Sequence, residues 1–170
     1  MVDIKPTQYK TQSKQIIRWA GSKRKLLPQL MDRVPAQFGT YIEPFCGSAC
    51  LFFELAPDKA ILGDINSELI NAFRQIKKAG KLHNNLTSHS NTSEEYYRLR
   101  ALDPKEMDDR TRAIRFLYLN RYCFNGVYRT NKDGQFNVPR GTRTGDFPSK
   151  ETFELARLKL KAAKLKIASY

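Results

Sequence analysis

Hydrophobic and polar positions follow two different periods along the first half of the chain. Apolar residues at positions 26, 27, 30, 31 and 34 recur at helical spacing and stop before Pro35, which predicts an amphipathic helix. Short apolar runs at residues 40–43 and 59–63 predict strands, and each is followed by a helical pattern, at residues 45–55 and 67–78. The order strand, helix, strand, helix is the beginning of a doubly wound α/β sheet.

The pattern changes after residue 80. Residues 81–91 are polar, and Thr92 with Glu95 indicates a capping box that opens a helix to about Leu102. Residues 109–122 are apolar on more than one side, which predicts a buried helix. Residues 127–138 contain two strand-like stretches around Asn-Lys-Asp-Gly, where Asp-Gly supplies the positive φ of a hairpin turn.

These patterns divide the chain into four segments. Residues 1–15 are polar and predict a flexible N-terminus. Residues 16–80 predict the first half of an α/β core, and residues 81–148 a mainly helical lobe that carries the hairpin. Residues 149–170 predict a returning helix and the start of the next core strand.

Charge is distributed unevenly along the chain. The sequence contains 30 Lys and Arg against 17 Asp and Glu, which gives a net charge of +13. The basic excess lies in residues 1–25 and 110–145, whereas residues 41–70 are mainly acidic. This distribution indicates a surface for a polyanion beside a pocket that accepts a cation, and general solubility is the alternative explanation.

The remaining composition excludes several classes of protein. The 3 Cys come with only 2 His, so neither a disulfide framework nor a zinc site is expected. No apolar run approaches the roughly 18 residues of a membrane span, and the polar N-terminus lacks the apolar core of a signal peptide. We therefore expect a reduced, cytoplasmic protein that holds no metal and contacts no membrane.

Two segments of the predicted core could hold a nucleotide-like ligand. After the first strand, Glu43 leads into a glycine turn at Gly47, where a backbone without Cβ lets a ligand approach closely. Asp64 ends the second strand, at the distance along the chain where an acidic residue holds a ribose diol in such folds. A plain structural turn is the alternative. The aromatic, glycine and cation at Trp19–Lys23 also precede a helix, and their spacing alone favours a packed Trp and a solvated Lys.

The predicted hairpin carries side chains suited to DNA. Arg, Asn and Gln can form paired hydrogen bonds with base edges, and Val and Pro can meet a thymine methyl. Interleaved aromatic rings suit stacking on an extruded base. A structural hairpin whose Arg residues face water is the alternative.

Taken in order, these segments closely resemble the Dam-type (D12 class) DNA adenine-N6 methyltransferases, from about Ile16 to Tyr170. The motifs that carry the resemblance lie at residues 19–23 (Trp-Ala-Gly-Ser-Lys), 43–48 (Glu-Pro-Phe-Cys-Gly-Ser), 64–70 (Asp-Ile-Asn-Ser-Glu-Leu-Ile), 116–121 (Phe-Leu-Tyr-Leu-Asn-Arg) and 136–139 (Phe-Asn-Val-Pro). The resemblance implies part of a Rossmann-like methyltransferase core that binds S-adenosylmethionine, with an inserted, mainly helical target-recognition lobe carrying a β-hairpin.

The resemblance also implies roles for individual residues. Those expected to bind the cofactor are Trp19, Gly21, Lys23, Glu43, Pro44, Phe45, Gly47 and Asp64. Those expected to bind DNA are Arg18, Arg121, Asn125, Val127, Arg129 and Pro139. The hairpin is most similar to those of family members that act on GATC. Such members are encoded by bacteria or phages, and some belong to restriction-modification systems. Action on DNA would place the protein at the nucleoid.

The catalytic motif of this family, Asp-Pro-Pro-Tyr or its Asn and Ser variants, does not occur in the 170 residues. No two prolines are adjacent, and Asp103-Pro104-Lys105 in a polar loop is the nearest approximation, so we assign no catalytic residue. We expect an N-terminal portion of such an enzyme, inactive alone, with double-stranded DNA and a complementary C-terminal fragment as partners. A non-catalytic DNA-binding module or subunit is the alternative.

An incomplete core would also leave apolar side chains without cover. We expect marginal stability, an unpaired sheet edge and an exposed apolar patch that leads to aggregation or dimerisation. The residues expected to lack part of their cover are Ile42, Phe52, Ile61, Leu62 and Phe73.

Overall fold

The structure is a computed structural model that describes residues 15–78, 80–142 and 145–168. Apart from Gln15, the predicted flexible N-terminus lies outside the described residues. The strands are β1 (Tyr41–Glu43), β2 (Ala60–Asp64) and β3 (Ala163–Ile167). The α-helices are α1 (Leu27–Met31), α2 (Cys50–Leu55), α3 (Ser67–Lys77), α4 (Leu82–Thr87), α5 (Ser93–Ala101), α6 (Asp109–Tyr122) and α7 (Lys150–Leu160).

The three strands form a parallel sheet in the order β1-β2-β3. Glu43, Leu62 and Leu165 pair across it and share one face, which packs against the core, with Leu62 fully buried. The next row back, Ile42, Ile61 and Lys164, lies on the opposite face, where Ile42 is 59% exposed. Parallel sheets are normally covered on both faces. Within the described residues this sheet is covered on one face, and the outer edge of β1 has no partner strand.

Helices α3 and α6 form the centre of the core. Asn66 caps α3 by accepting a hydrogen bond from the backbone N–H of Leu69, and Asp108 caps α6 in the same way. Residues 113–122 of α6 are all buried, as its apolar pattern predicts. An ion pair between Glu68 and Arg112 joins the two helices. α6, which lies within the segment predicted as a lobe, therefore shares one core with α3.

Three of the five residues expected to lack cover are buried. Phe52, Leu62 and Phe73 are at most 1% exposed, so the prediction is wrong for them. The rings of Phe52 and Phe73 both pack against Phe53, and together with α3 they fill the covered side of the sheet. For Ile42 the prediction is confirmed, because it lies on the open face.

The lobe differs from the sequence prediction in two places. The polar segment after residue 80 contains helix α4, which buries Leu82 and Leu86 one turn apart. The predicted hairpin has no regular strands: its two arms are joined by the isolated antiparallel bridges Cys123↔Arg140 and Thr130↔Phe136. Positive φ angles at Asn125 and Gly126 bend the first arm and interrupt the pairing. The turn between the arms has the expected positive φ at Gly134.

None of the helices in the described ranges combines the length and apolar character needed to cross a membrane.

Candidate functional site

A cavity of about 350 Å³ lies where β1 and β2 end. Its walls come from residues 19–23, from the turn that follows β1, and from Asp64 at the end of β2. In open α/β sheets, ligands bind at the carboxyl ends of the strands. The cavity therefore occupies the position where this type of sheet holds a ligand.

The last residue of β1 fixes one side of the cavity. The Glu43 carboxylate accepts hydrogen bonds from Lys23 Nζ at 2.9 Å and from Tyr41 Oη at 2.9 Å. Tyr41 and Glu43 are two residues apart on one strand, so they share a face. Burial and the adjacent carboxylate of Glu43 raise the pKa of Tyr41, which keeps its hydroxyl protonated as a donor. Lys23 also donates to the carbonyl of Phe45 at 3.3 Å, which holds its ammonium beside the turn.

The last residue of β2 fixes the opposite side. Asp64 Oδ2 accepts from the backbone N–H of Gly47 at 3.1 Å, and Oδ1 accepts from that of Asn66 at 3.0 Å. Asp64 is only 8% exposed and lines the cavity. A carboxylate has about four acceptor sites, so Asp64 keeps acceptor capacity beyond these two bonds.

Gly47 lies directly against the ring of Trp19. It has φ +48°, and a Cβ at this position would lie 2.7 Å from Trp19 Cδ1. Both the backbone angle and the available space therefore require glycine. The indole ring packs directly on the turn, and both line the cavity.

Small polar side chains join the two walls. Ser22 Oγ and Ser48 Oγ are 2.9 Å apart, and Gln15 donates to both, at 2.9 and 3.1 Å. The nearby thiol of Cys46 is buried, and burial together with the carboxylates of Asp64 and Glu43 raises its pKa to about 12. Cys46 therefore remains a neutral thiol and is not suited to act as a nucleophile.

The two arms of the lobe run side by side beyond the cavity. The Phe124 N–H donates to the carbonyl of Pro139 at 2.9 Å, and the Asn137 N–H to that of Arg129 at 3.2 Å. Arg129 is exposed, and its Nε donates to Asn137 Oδ1 at 2.9 Å. We call residues 124–140 the recognition arms.

The segment between cavity and arms is held by the end of α6. The side-chain amide of Asn120 accepts from the N–H of Arg18 at 2.8 Å and donates to its carbonyl at 2.7 Å. Arg121 is 8% exposed and donates to the carbonyls of Gln15 and Ile16 at 3.1 and 3.3 Å. Burial and the neighbouring charge of Arg18 lower the pKa of Arg121 to about 10. Arg121 thus holds the N-terminal segment in place.

Comparison with known proteins decides the family. The model of the D12 class N6 adenine-specific DNA methyltransferases matches residues 19–170. This chain belongs to that family. The match includes the cavity residues Trp19, Lys23, Glu43, Gly47 and Asp64 and the whole of the recognition arms.

Curated relatives agree with the family match. A Type II methyltransferase from Lactococcus lactis subsp. cremoris, M1.LlaDCHI, is 45% identical over 131 residues, which are 73% of this chain and 46% of the relative. The Type II methyltransferase M.CviBI of Paramecium bursaria Chlorella virus NC1A is 37% identical over 75% of this chain and 50% of its own. The DNA adenine methylase of Escherichia coli K12 is 35% identical over 82% and 52%. The D12-class chain spans about half the length of these relatives.

The structure brings together most of the residues expected to bind a cofactor. Those that line the cavity are Trp19, Gly21, Lys23, Phe45, Gly47 and Asp64. Glu43 lies behind the wall and acts through its bond to Lys23, and Pro44 is half-buried between Glu43 and Phe45. Phe45 is 68% exposed beside the opening.

The residues expected to bind DNA differ in exposure, and not all of them lie at the protein surface. Asn125, Arg129 and Pro139 are exposed on the recognition arms, and Val127 is half-buried between them. Arg18 is half-buried, and its guanidinium donates to the carbonyl of Arg121 at 3.1 Å. Arg121 itself is buried beneath Arg18 and faces the protein main chain.

Three residues of the site were given no role by the sequence analysis. Tyr41 could have been found, because the i, i+2 spacing on a strand places it on the face of Glu43. Asn120 and Tyr128 touch Arg18 and Trp19, which are distant in sequence, and no local pattern reveals such contacts. Across the described residues, no three His, Cys, Asp or Glu side chains are grouped so that they could hold a metal ion.

Proposed function

We propose that this chain is the cofactor-binding and target-recognition half of an enzyme that methylates adenine N6 in double-stranded DNA. The observation that carries the proposal is the cavity at the ends of β1 and β2, whose wall residue Trp19 also touches the recognition arms. The family match and the names of the relatives support the same activity.

S-adenosylmethionine fits the groups around this cavity. It is a sulfonium cation with a ribose and an adenine. The Asp64 carboxylate lines the cavity at the end of β2, and the Glu43 carboxylate at the end of β1 lies behind the wall, paired with Lys23. The remaining acceptor capacity of Asp64 suits the ribose hydroxyls, and the rings of Trp19 and Phe45 suit the flat base. The bound cofactor supplies an electrophilic methyl group. The chain's own residues bind the cofactor and keep its position fixed.

The recognition arms supply the contacts to DNA. Arg129 and Asn125 offer the donors and acceptors that pair with base edges, and exposed Pro139 offers an apolar contact for a thymine methyl. Arg18 contacts DNA beside the arms, and Arg121 contributes by positioning Arg18. The net charge of +13 attracts the phosphate backbone. The site recognised is GATC-like, and the enzyme acts on the nucleoid in the cytoplasm of a bacterium or phage host, as part of DNA modification.

We assign the groups that grip the adenine amine to the half of these relatives that the 170 residues do not match. The 170 residues contain no Asp-Pro-Pro-Tyr, and the chain spans about half the length of these relatives. A partner equivalent to the other half of these relatives would cover the open sheet face at Ile42 and Ile61 and pair with the edge of β1. The second candidate function is a DNA-binding module without catalysis, in which the recognition arms bind DNA on their own.

Binding to DNA duplexes tests the recognition role. Anisotropy of a labelled GATC duplex and a scrambled duplex compares the chain with Arg129→Ala and, as a matched control on the same arms, Lys132→Ala. Loss of a base contact costs about 1–3 kcal/mol and relaxes specificity, whereas loss of a phosphate contact weakens all sequences and lowers the salt slope by about 1. We expect the first result for Arg129→Ala and the second for Lys132→Ala. Equal loss on both duplexes for Arg129→Ala would place Arg129 on the phosphates.

Methyl transfer distinguishes the enzyme from the module. The 170-residue chain with radiolabelled S-adenosylmethionine and GATC duplex should transfer no methyl group. Addition of the second half of the Escherichia coli relative should restore transfer if the chain is half of an enzyme, and should have no effect if it is a module. Transfer by the 170 residues alone would contradict the assignment of the catalytic groups to the half of the relatives that they do not match.

A further inference from the structure

The ring of Trp19 is shared between the cavity and the recognition arms. Trp19 lines the cavity and lies against Gly47. It also stacks on Tyr128, with ring centroids 5.9 Å apart and an interplanar angle of 19°. Tyr128 lies between Val127 and Arg129, the residues expected to contact bases. A single side chain therefore touches both the cofactor site and the base-reading segment.

Tyr128 is confined on its other sides. Its ring packs at 5.3 Å from the ring of Phe116 on α6 and at 5.5 Å from that of Phe136 on the second arm. Burial and the nearby carboxylate of Glu68 raise the pKa of Tyr128 to about 12, so the residue is a neutral ring at physiological pH. Trp19 and Tyr128 are both half-buried against the core, so a movement of the Trp19 ring changes the surface on which Tyr128 packs.

A second contact joins the same two segments. A Cβ on Gly126 would lie 2.6 Å from Arg18 Cβ, so the first arm packs closely on Arg18. The clamp of Asn120 fixes the backbone of Arg18 on both its N–H and its carbonyl. Two successive residues, Arg18 and Trp19, therefore rest on two residues of the same arm, Gly126 and Tyr128.

We propose that Tyr128 is a positioning residue that couples occupancy of the cavity to sequence-specific DNA binding. The inference rests on the proposed function. A ligand against Trp19 fixes the orientation of the indole, the stack fixes Tyr128, and the adjacent Arg129 is held in its base-reading position. Linkage requires the reverse effect, so specific DNA tightens cofactor binding by the same factor. Coupling between binding sites is typically about 5–150-fold, and one stacked ring pair places our expectation at the lower end, about 5–20-fold.

The experiment uses Trp19 as its own reporter, because it is the only Trp of the chain. S-adenosylmethionine is titrated into the 170-residue chain, by Trp19 fluorescence and by calorimetry, without DNA, with GATC duplex and with scrambled duplex. The wild-type dissociation constant should fall about 5–20-fold with GATC duplex and by less than about 2-fold with scrambled duplex. Anisotropy of the duplex with and without cofactor should return the same factor.

Variants isolate the stack. Tyr128→Phe keeps the ring and should keep the coupling factor, whereas Tyr128→Leu and Tyr128→Met should reduce it to about 1 with a smaller effect on cofactor affinity without DNA. Tyr97→Leu is the control, because Tyr97 lies on α5 and is 43% exposed. Two substitutions of different shape keep the test valid if one does not fold.

The outcomes separate this inference from the proposed function. A chain that binds neither cofactor nor GATC duplex overturns both. A chain that binds both ligands with a factor near 1, or a Tyr128→Leu or Tyr128→Met variant that keeps the wild-type factor, overturns the coupling alone. Equal factors for Tyr128→Phe and wild type, with loss in the aliphatic variants, support it.

Discussion

Replacement of Gly47 by Ala is the most informative single perturbation of the cavity. Gly47 combines a positive φ of +48° with a ring that lies where a Cβ would be. Its backbone N–H also donates to Asp64, so a shift of the turn moves the carboxylate as well. The substitution adds one methyl group and tests both the turn and the Trp19 contact.

The structure gives the magnitude. The Cβ that Gly47→Ala introduces would approach Trp19 Cδ1 to 2.7 Å, well inside the 3.4 Å at which ordinary contact begins. A left-handed conformation costs a non-glycine residue about 1–2 kcal/mol, and overpacking costs about 1–3 kcal/mol. We therefore expect a loss of about 2–5 kcal/mol of folding free energy. For a chain of this size that lowers Tm by roughly 4–20 °C.

Two other glycines separate the two causes. Gly21 has φ +74° with nothing within 4 Å, so Gly21→Ala carries the backbone strain without the clash. Gly39 has neither a positive φ nor a neighbour within 4 Å, so Gly39→Ala should be neutral or stabilising by up to about 1 kcal/mol. Tm should rank Gly39→Ala, Gly21→Ala, Gly47→Ala from highest to lowest.

Calorimetric melting combined with Trp19 emission is the assay. Gly47→Ala should shift the emission maximum, because the indole must move, whereas Gly21→Ala and Gly39→Ala should leave it nearly unchanged. A Gly47→Ala variant that melts like Gly39→Ala with unchanged emission would refute the close contact between the turn and Trp19.

Three further predictions concern the packing around the site. Arg98 and His89 donate to the Glu95 carboxylate and lower its pKa to about 2 from an ordinary 4.5. Because Arg98 is solvent-exposed, these bonds contribute at most about 1 kcal/mol to the folding free energy. This contribution is present above pH 4.5 and is lost as the pH falls towards 2. Glu95→Gln should flatten the acid side of a Tm–pH curve relative to Glu94→Gln, and coincident curves would count against it. Burial raises the pKa of Cys46 to about 12 and that of Cys123 to about 11. In the folded chain these two thiols should therefore react with Ellman's reagent at least about 100-fold more slowly than in the denatured chain. Equal rates would disprove their burial. Arg112→Met leaves the Glu68 carboxylate without its partner between α3 and α6 and should lower the free energy of urea unfolding by about 2–3 kcal/mol. The double variant Glu68→Leu/Arg112→Met should recover most of this loss. A double variant that is no more stable than Arg112→Met would refute the prediction.

Local patterns predicted most of the elements. Helix α6 begins and ends as predicted, because its cap at Asp108 and its continuous apolar content lie within one stretch of sequence. The positions of Gly47 and Asp64 beside each other follow from two parallel strands whose carboxyl ends meet at one edge. The turn at Gly134 was also predictable, because Asp-Gly is a local signal for a hairpin turn with positive φ.

Contacts between distant segments were not predictable. The stack of Trp19 on Tyr128 and the burial of Arg121 depend on how α6 lies against residues 15–19. The cover of Phe52 and Phe73 includes one shared neighbour, Phe53, and Phe52 also contacts Tyr41 on β1. Periodicity states which face of an element is apolar, and it does not state which element covers that face.

Calorimetric titration of S-adenosylmethionine tests the central claim most directly, with Asp64→Asn as the perturbation and Asp58→Asn, an exposed acid before β2, as the matched control. We expect one cofactor per chain, a loss of at least about 10-fold in affinity (about 1.4 kcal/mol) for Asp64→Asn, and no change for Asp58→Asn. Absence of binding by the wild-type chain, or equal affinity for Asp64→Asn and wild type, would contradict it.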